Sequence, residues 1–178
     1  MTIYDDIYEI AADNYGLVTS AEAKGAGASD KELSRIAKDG RLTRIGYGVY
    51  RIKHWVPTEL DPYAEAVALV GQGAYLYAES VIAMHALAPT NPAWIHVATP
   101  NRVRRSLPAS IEVVRRPDCG DTTEYEGIPS QTVPAAIRSC RGTMMAERLI
   151  DATRRARELG LIRAEDETAL LEDLNGED

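Results

Sequence analysis

The sequence predicts an α+β protein built from two domains, and three observations carry that prediction. Apolar residues recur at helical spacing in some stretches and alternate with period two in others, which calls for both helices and strands. The stretch "KHWVPTELDP" at 53–62 interrupts those patterns with two prolines and several charges, so it marks a boundary. Before it, helix-like runs end in one short hairpin; after it, helix-like and strand-like runs interleave. The expected division is a first domain over 1–57 and a second over 58–178. The second is read as a mixed α+β domain with a small antiparallel sheet and an acidic helical tail.

Within the first domain, Ile3, Ile7, Ile10 and Ala11 share one face of a helix over 3–15 that Gly16 stops. "LVTSAEAKGAGASDKELSRIAKDG" then reads as two short helices. Thr19 with Glu22, and Ser29 with Glu32, have the spacing of capping boxes, and "GAGA" supplies a tight turn between them. The second helix is expected over 30–39, with Gly40 as its C-terminal cap. Leu33, Ile36 and Ala37 form its apolar face. Lys31, Ser34, Arg35 and Lys38 fall at i, i+3, i+4 and i+7 on the other side. That stripe suits phosphates and base edges in a major groove, although a solvated surface face has the same composition.

"GRLTRIGYGVYRI" (40–52) follows as a hairpin with strands at 42–45 and 49–52 and "GYG" as its turn, where Gly46 and Gly48 permit positive φ. Alternation sends Val49 and Arg51 to one face and Tyr50 and Ile52 to the other, with Tyr50 in the core. Arg41, Arg44 and Tyr47 are the outward groups near the tip, placed for sugar-phosphate or a minor groove. A capped helix, a small turn, a capped basic helix and a basic hairpin is the order of a winged helix-turn-helix.

In the second domain, Pro57 and Pro62 flank a helix cap at Asp61. Helical patterns cover 62–71 and 78–87, strand-like runs cover 94–99, 111–116 and 124–132, and helices return at 134–140, 143–159 and 165–174. No internal repeat is present.

The net charge of −7 looks unfavourable for nucleic acid, but it is segregated. Residues 20–53 hold eight basic residues against four acids, whereas 158–178 hold eight acids against Arg163 alone. The first domain therefore stays compatible with a polyanion. No apolar run approaches the roughly 20 residues needed to span a bilayer. The N-terminus lacks the basic start and apolar core of a signal peptide, so a cytoplasmic location is expected. Cys119 and Cys140 have neither CxxC nor Cys/His spacing and are read as buried or half-buried thiols, with no zinc site.

Catalysis finds no support in the residue pattern. Ser80 and His85 are out of phase on one helix, and GxSxG, GxGxxG and P-loop motifs are absent. His85 and His96 lack a third ligand at recognisable spacing, and Asp118, Asp121, Glu124 and Glu126 read as a solvated acidic loop. No catalytic residue, metal or cofactor is expected.

The ordered set "GLVTSAEAKGAGASDKELSRIAKDGRLTRIGYGVYRI" (16–52), "AYLYAESVIAMHALAP" (74–89), "WIHVATP" (94–100) and "YEGIPSQTVPAAI" (125–137) resembles the abortive-infection antitoxin (AbiEi-like) family of type IV toxin–antitoxin systems. The resemblance implies a bacterial phage-defence regulator whose winged helix represses its own promoter. The C-terminal domain would counter a nucleotidyltransferase toxin without a stable toxin–antitoxin complex, with the toxin or its RNA target as the implied partner. On that reading Lys31, Ser34, Arg35 and Lys38 enter the major groove of double-stranded DNA, and Arg41, Arg44 and Tyr47 grip the backbone beside it. A monomer or weak dimer would meet inverted repeats. Arg102, Arg104 and Arg105, with Arg138, Arg141 and Arg148, are candidates for a second basic surface facing DNA, an acidic partner or RNA. The chain departs from the family after the "G-I-P" turn, reading "SQTVPAAIRSC" where relatives often show "TS-P-x-RT-x-x-D". Two other classes remain open from residues alone: a protein-interaction module that uses the winged helix as a protein contact, and a degenerate nuclease.

Overall fold

The structure, a computed structural model, describes residues 1–91 and 93–176. It divides into two compact units, one of Met1–Gln72 with Val103–Leu107 and one of Gly73–Arg102 with Pro108–Asp178. The expected α+β class holds. None of the described helices is long and apolar enough to cross a membrane.

The first unit runs α1 (Ile3–Ala12), β1 (Leu17–Thr19), α2 (Ser20–Gly25), α3 (Asp30–Lys38), β2 (Leu42–Gly46), β3 (Val49–Ile52) and α4 (Asp61–Val70). Its three strands form an antiparallel sheet in the order β1-β3-β2. This is the connectivity of a winged helix-turn-helix, with β2 and β3 as the wing. Strand β1 was not legible in the sequence, because three residues are too few to establish a period. Both capping boxes are present: Thr19 and Ser29 each accept from the third helical amide and receive the glutamate carboxylate in return. The second helix ends as Gly40 allows. At φ +77° its amide donates to Ala37 O and the next amide, of Arg41, to Ile36 O, which closes the left-handed C-terminal motif.

β3 is the central strand and buries both faces. Tyr50 and Ile52 join Ile7, Ala11, Val18, Leu33, Ile36 and Leu42 in the helix-side core. On the opposite face Val49 is buried, and Arg51 Nη1 pairs with Glu65 of α4 at 2.9 Å. The wing is tightened by a bulge between Arg44 and Gly46. Only Gly48 uses positive φ there (+65°). Gly46 is needed for another reason: the Leu69 side chain of α4 occupies the place where a Cβ would be.

The cap expected at Asp61 is corrected. Leu60 holds the cap position and Asp61 is the first helical residue, 4% exposed. Its carboxylate reaches back, accepting from Trp55 Nε1 at 2.5 Å, Thr58 N at 2.9 Å and Thr58 Oγ1 at 2.6 Å. The Trp55 ring in turn lies against Gly16, whose absent side chain leaves the room it needs.

The second unit contains β4 (Tyr75–Leu76), α5 (Glu79–Met84), β5 (Ile95–Thr99), β6 (Ile111–Arg115), β7 (Thr122–Tyr125), β8 (Ile128–Gln131), α6 (Val133–Ser139), α7 (Ala146–Glu158) and α8 (Ala164–Asn175). Its sheet has the order β6-β5-β4-β8-β7. The small antiparallel sheet expected here is corrected: β4 with β5 and β7 with β8 are antiparallel, but β4 with β8 and β5 with β6 are parallel. Strand patterning reports which residues are extended and not which way a neighbour runs, so the mixture was invisible. The run expected as one strand over 124–132 is a hairpin. Glu126 and Gly127, both at positive φ, make its two-residue turn.

Asp61→Ala is expected to destabilise the fold by about 1–2 kcal/mol, because it removes the charged acceptor of the half-buried Trp55 indole N–H and of the Thr58 amide and hydroxyl. Urea unfolding followed by Trp fluorescence measures this directly.

Candidate nucleic-acid interface

α3 is fixed by its own sequence before packing is considered. Ser29 Oγ accepts from Glu32 N at 3.2 Å, and Glu32 Oε2 accepts from Ser29 N and Oγ at 2.9 Å each. Leu33 and Ile36 then sink into the core, each burial stabilising by roughly 1.5–3 kcal/mol. With that face committed, Lys31, Ser34, Arg35 and Lys38 are all exposed on the other. Arg35 and Lys38 lie in the last turn, where a cation complements the helix dipole. The first-turn acids are engaged: Glu32 in the cap, Asp30 with Lys24 Nζ at 3.0 Å. Hydrogen bonds from Ser29, its backbone amide first and then its hydroxyl, hold the Glu32 carboxyl below its ordinary pKa.

The three wing-side candidates have different surroundings. Tyr47 projects at the tip, 72% exposed. Arg44 is exposed beside it, its Nε donating to Gly46 O at 3.2 Å. Arg41 is set apart: its guanidinium lies 5.0 Å from the centre of the Tyr4 ring of α1.

The six arginines of the candidate second surface are not equivalent. Arg104 and Arg105 belong to the first unit and the other four to the second. Arg105 donates to the last carbonyls of α4, from Nε and Nη2 to Leu69 O at 3.1 and 2.9 Å and from Nη2 to Val70 O. It also lies 5.8 Å from the Tyr47 ring centre. Nothing in the local sequence pattern signals this placement. Arg138 pairs with Asp173 of α8 at 3.1 Å. All six are exposed residues.

Ser80 and His85 have structural partners. Ser80 Oγ accepts from His96 N at 2.7 Å, and His85 meets Tyr125 edge-on with ring centres 4.3 Å apart. Burial lowers the His85 pKa. Among the described residues no cluster has the composition of a metal site. Burial, with Glu79 nearby, pushes the Cys140 thiol up to about 12. Cys119, expected to be at least half-buried, is exposed.

With this geometry in view, comparison with known proteins is informative for the first unit. Residues 5–53 match the family described as "Transcriptional regulator, AbiEi antitoxin". This segment is therefore similar to AbiEi-type regulator domains. The match runs from within α1 through the wing, so every α3 and wing candidate lies inside it. No curated protein matches the chain. Among solved structures, the crystal structure of the RV2827C protein from Mycobacterium tuberculosis is similar at 16% identity and a TM-score of 0.49, covering 96% of this chain and 81% of that one.

Two outcomes test this description. Ser29→Ala should cost about 1 kcal/mol and return the Glu32 titration, followed by NMR, towards the ordinary glutamate value. A depressed carboxyl stabilises above its unfolded-state pKa, so the wild type should lose that contribution as pH falls through the lowered folded value. Separately, a thiol reagent applied to the native protein should label Cys119 and leave Cys140 untouched until unfolding.

Proposed function

We propose that this chain is a DNA-binding regulator of the antitoxin type, which represses its own promoter through α3 and the wing. One observation carries the reading. The face of α3 opposite Leu33 and Ile36 presents Lys31, Ser34, Arg35 and Lys38 together, beside a wing bearing Arg44 and Tyr47, within a segment matching a transcriptional-regulator family.

On this reading Arg35, Lys38 and Lys31 meet phosphates and base edges in the major groove, and Arg44 and Tyr47 meet the backbone beside it. Arg41, stacked on Tyr4, contributes at the α1 side. One winged helix is a small reader, so copies on the two halves of an inverted repeat would supply operator affinity. The second unit is assigned the countering of a nucleotidyltransferase toxin on the sequence resemblance at 74–89, 94–100 and 125–137. No catalytic step is part of this reading, in which Ser80 holds the His96 amide and His85 packs on Tyr125.

Binding of the purified protein to its upstream promoter DNA should weaken steeply with salt, log affinity falling by about 0.9 per phosphate neutralised for each tenfold rise in salt. Arg35→Ala with Arg44→Ala should weaken binding by roughly tenfold to a few hundredfold and flatten that salt dependence. Absence of promoter binding by the wild type at low salt would sink the reading. Unchanged affinity in the double variant would sink the residue assignment.

A further inference from the structure

We propose that Arg105 is a positioning residue for the wing, and that the DNA-reading unit is completed by a short segment far from it in sequence. The inference rests on the function proposed above for its consequence in DNA binding, and on geometry alone for its structural half.

Residues Val103–Leu107 leave the second unit's sequence run and join the first unit. Arg105 supplies the anchor. Its guanidinium donates to both Leu69 O and Val70 O, carbonyls that the end of α4 leaves without a helical partner. Gly71 follows at φ +112°, and a Cβ there would stand 2.6 Å from Arg105 Nη2. The chain thus passes beside the guanidinium in a backbone conformation that favours glycine.

Two routes lead from this anchor to the wing. Directly, the guanidinium lies by the Tyr47 ring at 5.8 Å from its centre, within reach of a cation–π attraction. Indirectly, Arg105 fixes the last turn of α4, and the Leu69 side chain on that turn fills the space left by Gly46 at the wing bulge. Tyr47 is otherwise an exposed residue at the hairpin turn, where the wing runs out along the edge strand β2. Arg105 directs Nε and Nη2 at protein carbonyls, and on this proposal its part in DNA binding is to keep the wing in the reading conformation. A residue acting this way lowers affinity through the competent fraction, whereas a phosphate contact lowers it through counterion release.

The experiment uses the full chain with Arg105→Ala, Arg105→Lys and, as a neighbouring exposed arginine, Arg104→Ala. Amide hydrogen exchange of residues 44–48 in the free protein reads the wing without reference to DNA. In Arg105→Ala exchange should accelerate by about tenfold or more in the wing while α1 and α3 keep their protection. Arg105→Lys, which keeps the charge but not the planar fork, should fall between it and wild type. Arg104→Ala should leave wing exchange unchanged. Promoter affinity of Arg105→Ala should drop by about tenfold with an unaltered salt slope. Wild-type wing exchange in Arg105→Ala overturns the proposal, as does a salt slope shallower by about one. If Arg105→Ala loses protection throughout the unit, the Lys variant decides: wing-only loosening supports the proposal, and wild-type wing exchange overturns it. If the wild type binds no promoter DNA, the regulatory reading fails while the exchange arm still judges Arg105.

Discussion

The first unit depends on β3 being buried on both faces. A central strand of four residues must pair with β1 on one side and β2 on the other while covering a core above and below. Tyr50 and Ile52 are committed to the helices, Val49 and Arg51 to the face that α4 closes with Glu65 and Leu69. A one-residue slip would exchange those faces and place Arg51 in the apolar core, so the register is strongly specified. Once β3 is set, the wing departs at a fixed angle and α3, packed through Leu33 and Ile36, presents its basic stripe.

Local and tertiary preferences agree across this unit. The capping boxes start α2 and α3, Gly40 ends α3, and the apolar face of α3 coincides with the core face that the sheet offers. Such agreement between levels is what specifies one structure. It also explains why a protein of net charge −7 can present a basic reading face. The acids of α3 are spent on capping and on Lys24, while the largest acidic block lies in 158–178, where Glu167 and Asp173 pair with Arg157 and Arg138.

Much of the candidate site was legible in the sequence because its signals are short-range. Lys31, Ser34, Arg35 and Lys38 share a face by helical geometry, Tyr50 is internal by strand alternation, and Ser29 and Glu32 announce a helix start three residues apart. Other placements turn on partners that periodicity does not name. Asp61 faces back to Trp55 and Thr58 instead of capping forward. Arg41 stacks on Tyr4, and Arg105 sits at the end of α4.

The sequence by itself determined the capped starts of α2 and α3, the stop of α3 at Gly40, the wing, and the polarity of α3, since each follows from backbone chemistry and side-chain periodicity within a few residues. Tertiary structure alone decided that the second sheet mixes parallel and antiparallel pairs, that α4 backs the wing, and that Val103–Leu107 belongs with the first unit. These are non-local choices, set by burial and by unpaired carbonyls that accept whichever donor the folded chain brings near. A basic pattern such as "RVRR" at 102–105 records how many donors are available. Which carbonyl each one meets is written only in the fold.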